Sequence, residues 1–147
     1  MFRKILVPVD GSATAARGLK EAIRIAKDQG AKLRLVHVVD ESMAIGSAEA
    51  GVDMEALVEG LVKSGRTILE RARVAAEKGG ARAETGIYES MSGPVADTIL
   101  RDAKKWGADL IVMGTHGRRG IRRLVLGSDA EQVMRATTVP VMLVRAR

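Results

Sequence analysis

Gly114, Gly117 and Gly127, the last followed directly by Ser128, stand two and then nine residues apart in the stretch GTHGRRGIRRLVLGSDAEQVMR. Glycine has no Cβ, so its backbone adopts positive φ and comes close to a ligand, which lets amides converge on phosphate oxygens. Gly127-Ser128 also opens a helical pattern, whose unpaired N–H groups and positive dipole end favour an anion. The chemistry is that of a phosphate cradle. On spacing alone the other reading stays open, because glycines after a strand also serve as turn makers. Asp10-Gly11-Ser12 is a second polar turn. Asp10 has the chemistry to accept from an adenine or ribose, or to help hold a phosphate-bound Mg²⁺, and equally to shape a turn before glycine. His116 is read as an exposed loop histidine in preference to a phosphate contact, and His37 as a hydrogen-bonded core residue. Arg118, Arg119, Arg122 and Arg123 add positive charge that attracts a triphosphate or an acidic partner.

Both turns must be held by regular elements, and the chain supplies them in alternation. KILVPV (residues 4–9) is a short, β-branched apolar run that reads as a buried strand. Ser12 is a suitable N-cap for a helix carrying Ala15, Leu19, Ala22 and Ala26 at helical spacing until Gly30 stops it. AKLRLVHVVD (31–40) is a second strand, and residues 41–51 read as a loop. A long helix follows over about 53–78, with one apolar stripe from Met54 through Leu61 to Ala72. Residues 81–88 alternate as an edge strand does. Pro94, capped by Ser92 or Gly93, opens a third helix through Trp106; DLIVM (109–113) is a fourth strand, buried throughout. A last helix covers 129–135, and VPVMLV (139–144) is a fifth strand. Alternating strands and helices with short connections require parallel pairing and right-handed crossovers. The expectation is an α/β fold of Rossmann-like type: a doubly wound, five-stranded parallel sheet with helices on both faces, forming one domain over 1–147. In such sheets ligands bind beyond the carboxyl ends of the strands, where the strand order reverses.

Composition narrows the chemistry further. The 147 residues contain no cysteine and only two histidines, which excludes disulfides, thiolate nucleophiles, cysteine-ligated zinc, iron–sulfur clusters and a histidine-based metal centre. One Trp, one Tyr and one Phe leave the core aliphatic and offer no stacking platform for single strands. The formal charge of +6 suits anionic ligands; with no zinc-finger or RNA-recognition signature, nucleic acid is not the expected partner. Pro8 and Asp10 interrupt the apolar run of the N-terminal MFRKILVPVDG, so it is not read as a signal peptide. No apolar stretch approaches a membrane span, and the expected location is the cytoplasm.

MGTHGRRGIRRLVLGS (113–128) resembles the universal stress protein family, in its ATP-binding branch, whose hallmark is this glycine spacing closed by Gly-Ser or Gly-Thr. KILVPVDGS (4–12), LVHVVD (35–40), ADLIVMG (108–114) and the ending VPVMLV extend the likeness over nearly the whole chain. The stretch 86–94, GIYESMSGP, departs from the family's short connection there. The resemblance implies ATP, with or without Mg²⁺, held between the two turns, with Gly114, Gly117, Gly127 and Ser128 around ribose and phosphates. Pro8, Asp10 and Val38 match positions lining the adenosine side. It also implies a stress-response role and a homodimer through residues Val139 to Val144, and an exposed edge strand points the same way. Neither a P-loop Gly-Lys-Ser/Thr nor a water-positioning base is present, so no catalytic residue is assigned and any ATP hydrolysis is expected to be slow. A nucleotide-independent dimeric interaction module is the alternative, and a phosphotransferase on the same fold a third.

Overall fold

A computed structural model describes residues 1–48, 50–90, 92–116 and 126–145. The chain alternates between strands and helices in the order β1 (Lys4–Pro8), α1 (Ala13–Gln29), β2 (Lys32–Asp40), α2 (Ser42–Ala48), α3 (Met54–Lys78), β3 (Ala83–Ser90), α4 (Val95–Trp106), β4 (Leu110–Gly114), α5 (Ser128–Ala136) and β5 (Val141–Val144). The strands form one five-stranded sheet in the order β3-β2-β1-β4-β5, and every neighbouring pair is parallel. This is the doubly wound α/β architecture expected from the sequence. The order reverses between β1 and β4, so the turn after β1 and the stretch after β4 meet at the switch point.

Successive strand residues point to opposite faces, and both faces are covered. Ile5, Val7, Leu33, Leu35, Leu110 and Val112 pack under α1 and α3, against Leu19, Ala22, Leu69 and Ala76. Leu6, Val36, Ile111 and Met113 pack under α4 and α5, against Ala96, Ile99, Ala103 and Val133. The unbroken apolar runs of β1 and β4 are the signature of a sheet buried on both sides. Helix α1 is capped as its sequence requires: Ser12 Oγ accepts from Ala15 N–H, and Gly30 takes the left-handed conformation at φ 66°.

The structure departs from the sequence reading in several places. Residues 42–48 form a short helix where a loop is expected, packed against α3. The stripe of α3 is buried only in its second half, at Gly65, Leu69, Ala72 and Ala76; Met54, Leu57, Val58 and Leu61 stay half-exposed, Leu61 at the rim of a cavity beyond the carboxyl ends of the strands. Pro94 is the cap residue of α4 and not its first helical residue; it has no side-chain acceptor to offer, and neither Ser92 nor Gly93 takes that role. Strand β5 begins at Val141, because Pro140 cannot donate to the ladder.

A polar cluster pins α4 to the sheet. Asp102, 3% exposed at its side chain, accepts from Arg34 Nε at 3.0 Å, and its second oxygen accepts from Arg34 Nη2 at 3.1 Å and from the Tyr88 hydroxyl. Gly86 makes room for this: a Cβ there would stand 2.8 Å from Arg34 Nη2.

Candidate functional site

Beyond the carboxyl ends of the strands, at the switch point, lies a cavity of about 540 Å³. That is the size of an ordinary small-molecule site. Pro8, Asp10, Val38, Gly114, Gly127 and Ser128 all border it. Gly117, with the four arginines between 118 and 123, lies outside the described residues.

The first wall is the β1–α1 turn. Asp10 Oδ1 accepts from Ser12 N–H at 2.8 Å, and Gly11 takes φ 81°, so the chain reverses tightly into α1 with Asp10 facing the cavity. The register of β1 with β2 ends at Pro8↔Val36, and Val9 N–H donates to Val36 C=O at 2.8 Å. The last residues of β2, from Val38 to Asp40, are paired with β3 alone. Their other backbone edge is therefore turned toward the open side, where Val38 borders the cavity.

The second wall starts at Gly114, the last residue of β4. Its missing Cβ serves a close approach within the protein: a Cβ there would stand 2.7 Å from Thr14 C and 2.8 Å from Ala15 N. Helix α1 thus enters against bare backbone, and Thr14 Oγ1 donates to His116 C=O, tying the two turns together. Thr115 N–H donates to Val144 C=O at 3.0 Å, and Gly127 N–H to Thr115 C=O at 2.6 Å, so Gly127 returns beside the end of β4. Gly127 then caps α5 without a side-chain acceptor, leaving the positive end of that helix at the cavity.

The histidines differ from one another. His37 is buried and its Nδ1 lies 2.7 Å from Val9 C=O, the core role expected for it, although the residue also borders the cavity. His116 is not an exposed loop residue. It is half-buried, its Nδ1 is 2.9 Å from Thr115 Oγ1, and its Nε2 is buried with no partner among the described residues. A buried polar atom without a partner is costly, and this one borders a cavity where a ligand group would satisfy it.

Sequence reasoning missed the charge of the wall. Asp40, Asp129 and Glu131 join Asp10 around the cavity, and no lysine or arginine among the described residues borders it. Asp40 Oδ1 accepts from Ser42 N–H and Oγ, and Glu131 pairs with Arg135 at 2.7 Å. The clue lay in the first turn of α5, Ser-Asp-Ala-Glu, where acidic residues complement the helix dipole. Among the described residues no cluster of His, Cys, Asp or Glu is arranged to hold a metal ion unaided.

Comparison with known proteins supplies the relationship. The family model described as "Universal stress protein family" matches residues 1–145. Universal stress protein MJ0531 of Methanocaldococcus jannaschii is 37% identical over 145 residues, covering 99% of this chain and 83% of its own. The solved structure of MJ0577, from the same organism, superposes with a TM-score of 0.85 at 28% identity, covering 100% of this chain and 98% of that one. Two further family structures hold adenine nucleotides: one in complex with cAMP (TM-score 0.68, 26% identity, 98% and 97% covered) and one from Archaeoglobus fulgidus in complex with dAMP (0.69, 26%, 97% and 97%). By this full-length match in sequence and in fold, the chain belongs to the universal stress protein family.

Proposed function

We propose that the protein binds ATP, or another adenine nucleotide, in this cavity and acts as a stress-response regulator with at most slow ATP hydrolysis. The observation that carries the reading is the convergence of Pro8, Asp10, Val38, Gly114, Gly127 and Ser128, distant in sequence, on one cavity at the switch point. The cAMP and dAMP complexes of family members support it. Val38 offers unpaired backbone to the adenine edge, Asp10 faces the ribose, and the open start of α5 receives phosphate, with His116 Nε2 within the same wall. Gly117 belongs to the same proposal through its place in the glycine spacing. Residues 1–147 act as one nucleotide-binding domain in the cytoplasm; no helix among the described residues is long and apolar enough to cross a membrane. The chain pairs as a homodimer through Val139 to Val144, where Met142 of the edge strand β5 is exposed. Light scattering that finds only the mass of one 15.7 kDa chain would remove the dimer.

Thermal melting with and without millimolar MgATP tests the reading, with magnesium tripolyphosphate at equal ionic strength as the control for general attraction to a basic protein. A ligand at about 100 times its dissociation constant adds about 2.7 kcal/mol, which raises the midpoint of a chain of this size by about 5–11 °C. The rise is expected with ATP alone and is expected to shrink in Gly127→Val. No rise, in protein first shown free of carried-over nucleotide, leaves the nucleotide-independent interaction module in its place.

A further inference from the structure

Because all the strands run the same way, their N-terminal ends and the C-terminal ends of α1, α3 and α4 share the side of the sheet opposite the cavity. That side is crowded with cations. Lys27, Lys78, Lys104 and Lys105 sit in the last turns of these helices, where they complement the helix dipoles. Arg3, Lys32 and Arg82 stand at the starts of β1, β2 and β3, and sheets carry too little dipole to give them the same reason. They are also neighbours: Lys32 N–H donates to Arg3 C=O and Leu33 N–H to Arg82 C=O, each at 2.9 Å, so the three backbones adjoin across three strands at about 4.8 Å per step. The residues after α3 and α4 come close to two further cations, Lys27 and Lys4. A Cβ at Gly80 would lie 4.0 Å from Lys27 Cδ, and one at Gly107 would lie 3.8 Å from Lys4 Nζ.

Little counter-charge answers this group among the described residues. The exposed side chains of Arg3, Lys32 and Arg82 make no ion pair with a described residue, whereas Arg24, Arg73 and Arg135 on the helix flanks are all paired. Of the carboxylates at this end, Asp109 is taken up by the N–H groups of Arg3 and Lys4, Glu77 pairs with Arg73, Glu84 lies 3.6 Å from Arg34, and Asp28 alone stands in the last turn of α1 without an ion pair to a described residue. By the register of β2 with β3, Lys32 and Arg82 stand opposite each other on adjacent strands, while Arg3, one residue before Lys32's partner Lys4, stands at the same strand ends on the alternate face. The opposed like charges destabilise the sheet unless an outside anion relieves them.

We propose that this face docks the phosphate backbone of duplex nucleic acid, without reading its sequence. The face has charge and little else. It has no exposed aromatic side chain to stack on single-stranded bases or anchor in a lipid interface, since Phe2, Tyr88 and Trp106 are all half-buried. Its one large exposed apolar side chain among the described residues is Met1 at the chain end, short of the apolar centre of a protein interface. Binding by charge alone is what a duplex backbone offers. Docking to a duplex departs from the sequence expectation that nucleic acid is not a partner. The missing stacking platform and recognition motifs on which that expectation rests bear on single strands and sequence readout, not on docking to a duplex backbone by charge.

The test is fluorescence anisotropy of a labelled mixed-sequence 25-base-pair duplex, followed from 50 to 200 mM salt. Compared are the parent protein, the triple variant Arg3→Gln, Lys32→Gln, Arg82→Gln, and a control with Arg118, Arg119, Arg122 and Arg123 each replaced by Gln. The parent's affinity is expected to fall steeply with salt. In the triple variant the slope of log K against log salt is expected to be shallower by about 3, at about 0.9 for each phosphate no longer neutralised, while the control keeps the parent's slope. Melting of the triple variant at low salt is expected at or above that of the parent, which shows that it folds. The proposal is overturned if the control loses binding and the triple variant does not. It is equally overturned if the parent ignores the duplex, whether or not it binds anionic vesicles or polyglutamate.

Discussion

At Gly114 one missing methyl group decides how two elements meet. A Cβ there would press on the backbone of Thr14 and Ala15 at 2.7–2.8 Å, and backbone cannot swing aside as a side chain can. Gly114→Ala is therefore expected to cost about 1–3 kcal/mol, the range for overpacking a close contact. A urea titration reads this directly. An unchanged midpoint would mean that α1 shifts without penalty and that the close approach has no structural weight. The glycine is legible as a special position from its spacing, but its reason is not, because the contact that needs it lies about a hundred residues earlier in the chain. His116 departs from its sequence expectation for the same cause. Its flanking glycines suggest an exposed loop, and only the fold shows its ring half-buried beside Thr115, with its carbonyl held by Thr14.

At the scale of elements, β2, β3 and α4 are joined by the Arg34–Asp102–Tyr88 cluster, which the sequence does not announce. Asp102, accepting from the Tyr88 hydroxyl, holds that phenol above its ordinary value of 10, burial adds to the rise, and Arg34 opposes it. A phenol that loses its proton less readily when folded stabilises the fold fully below pH 10, and that contribution is lost as pH rises through the folded-state value. The urea midpoint is therefore expected to fall above pH 10 more steeply in the parent than in Tyr88→Phe. Tyr88 is the one tyrosine of the chain, so its absorbance titration reports the same group directly. A phenol titrating at or below 10 would remove the account. Strands and helices are otherwise readable, since the buried runs of β1 and β4 and the caps Ser12 and Gly30 follow local rules. Helix α2 is not: seven residues, SMAIGSA, have no charge pattern and include a glycine, and they lie against α3. Local propensity does not carry so short a helix alone.

Across the whole molecule, charge is distributed against the simplest picture of a triphosphate site. The chain carries +6, yet the cavity wall holds Asp10, Asp40, Asp129 and Glu131 and, among the described residues, no cation. ATP at neutral pH brings about four negative charges. Each pair of like charges at about 6 Å costs about 3 kcal/mol at the effective dielectric of a protein surface. The arginines at 118, 119, 122 and 123 join the cavity residues His116 and Leu126 in sequence, and a divalent cation is the other source of positive charge. A divalent cation bound with the nucleotide would turn this repulsion into attraction, with a carboxylate such as Asp10 among the residues that would hold it. Calorimetric titration with ATP is thus expected to give at least tenfold tighter binding with Mg²⁺ than with EDTA, and AMP is expected to change little. Replacing the four arginines by Gln should widen the difference for ATP. Equal ATP affinity with and without Mg²⁺ in the parent, lost only in the arginine variant, would assign the compensation to those side chains alone and remove the metal ion from the site.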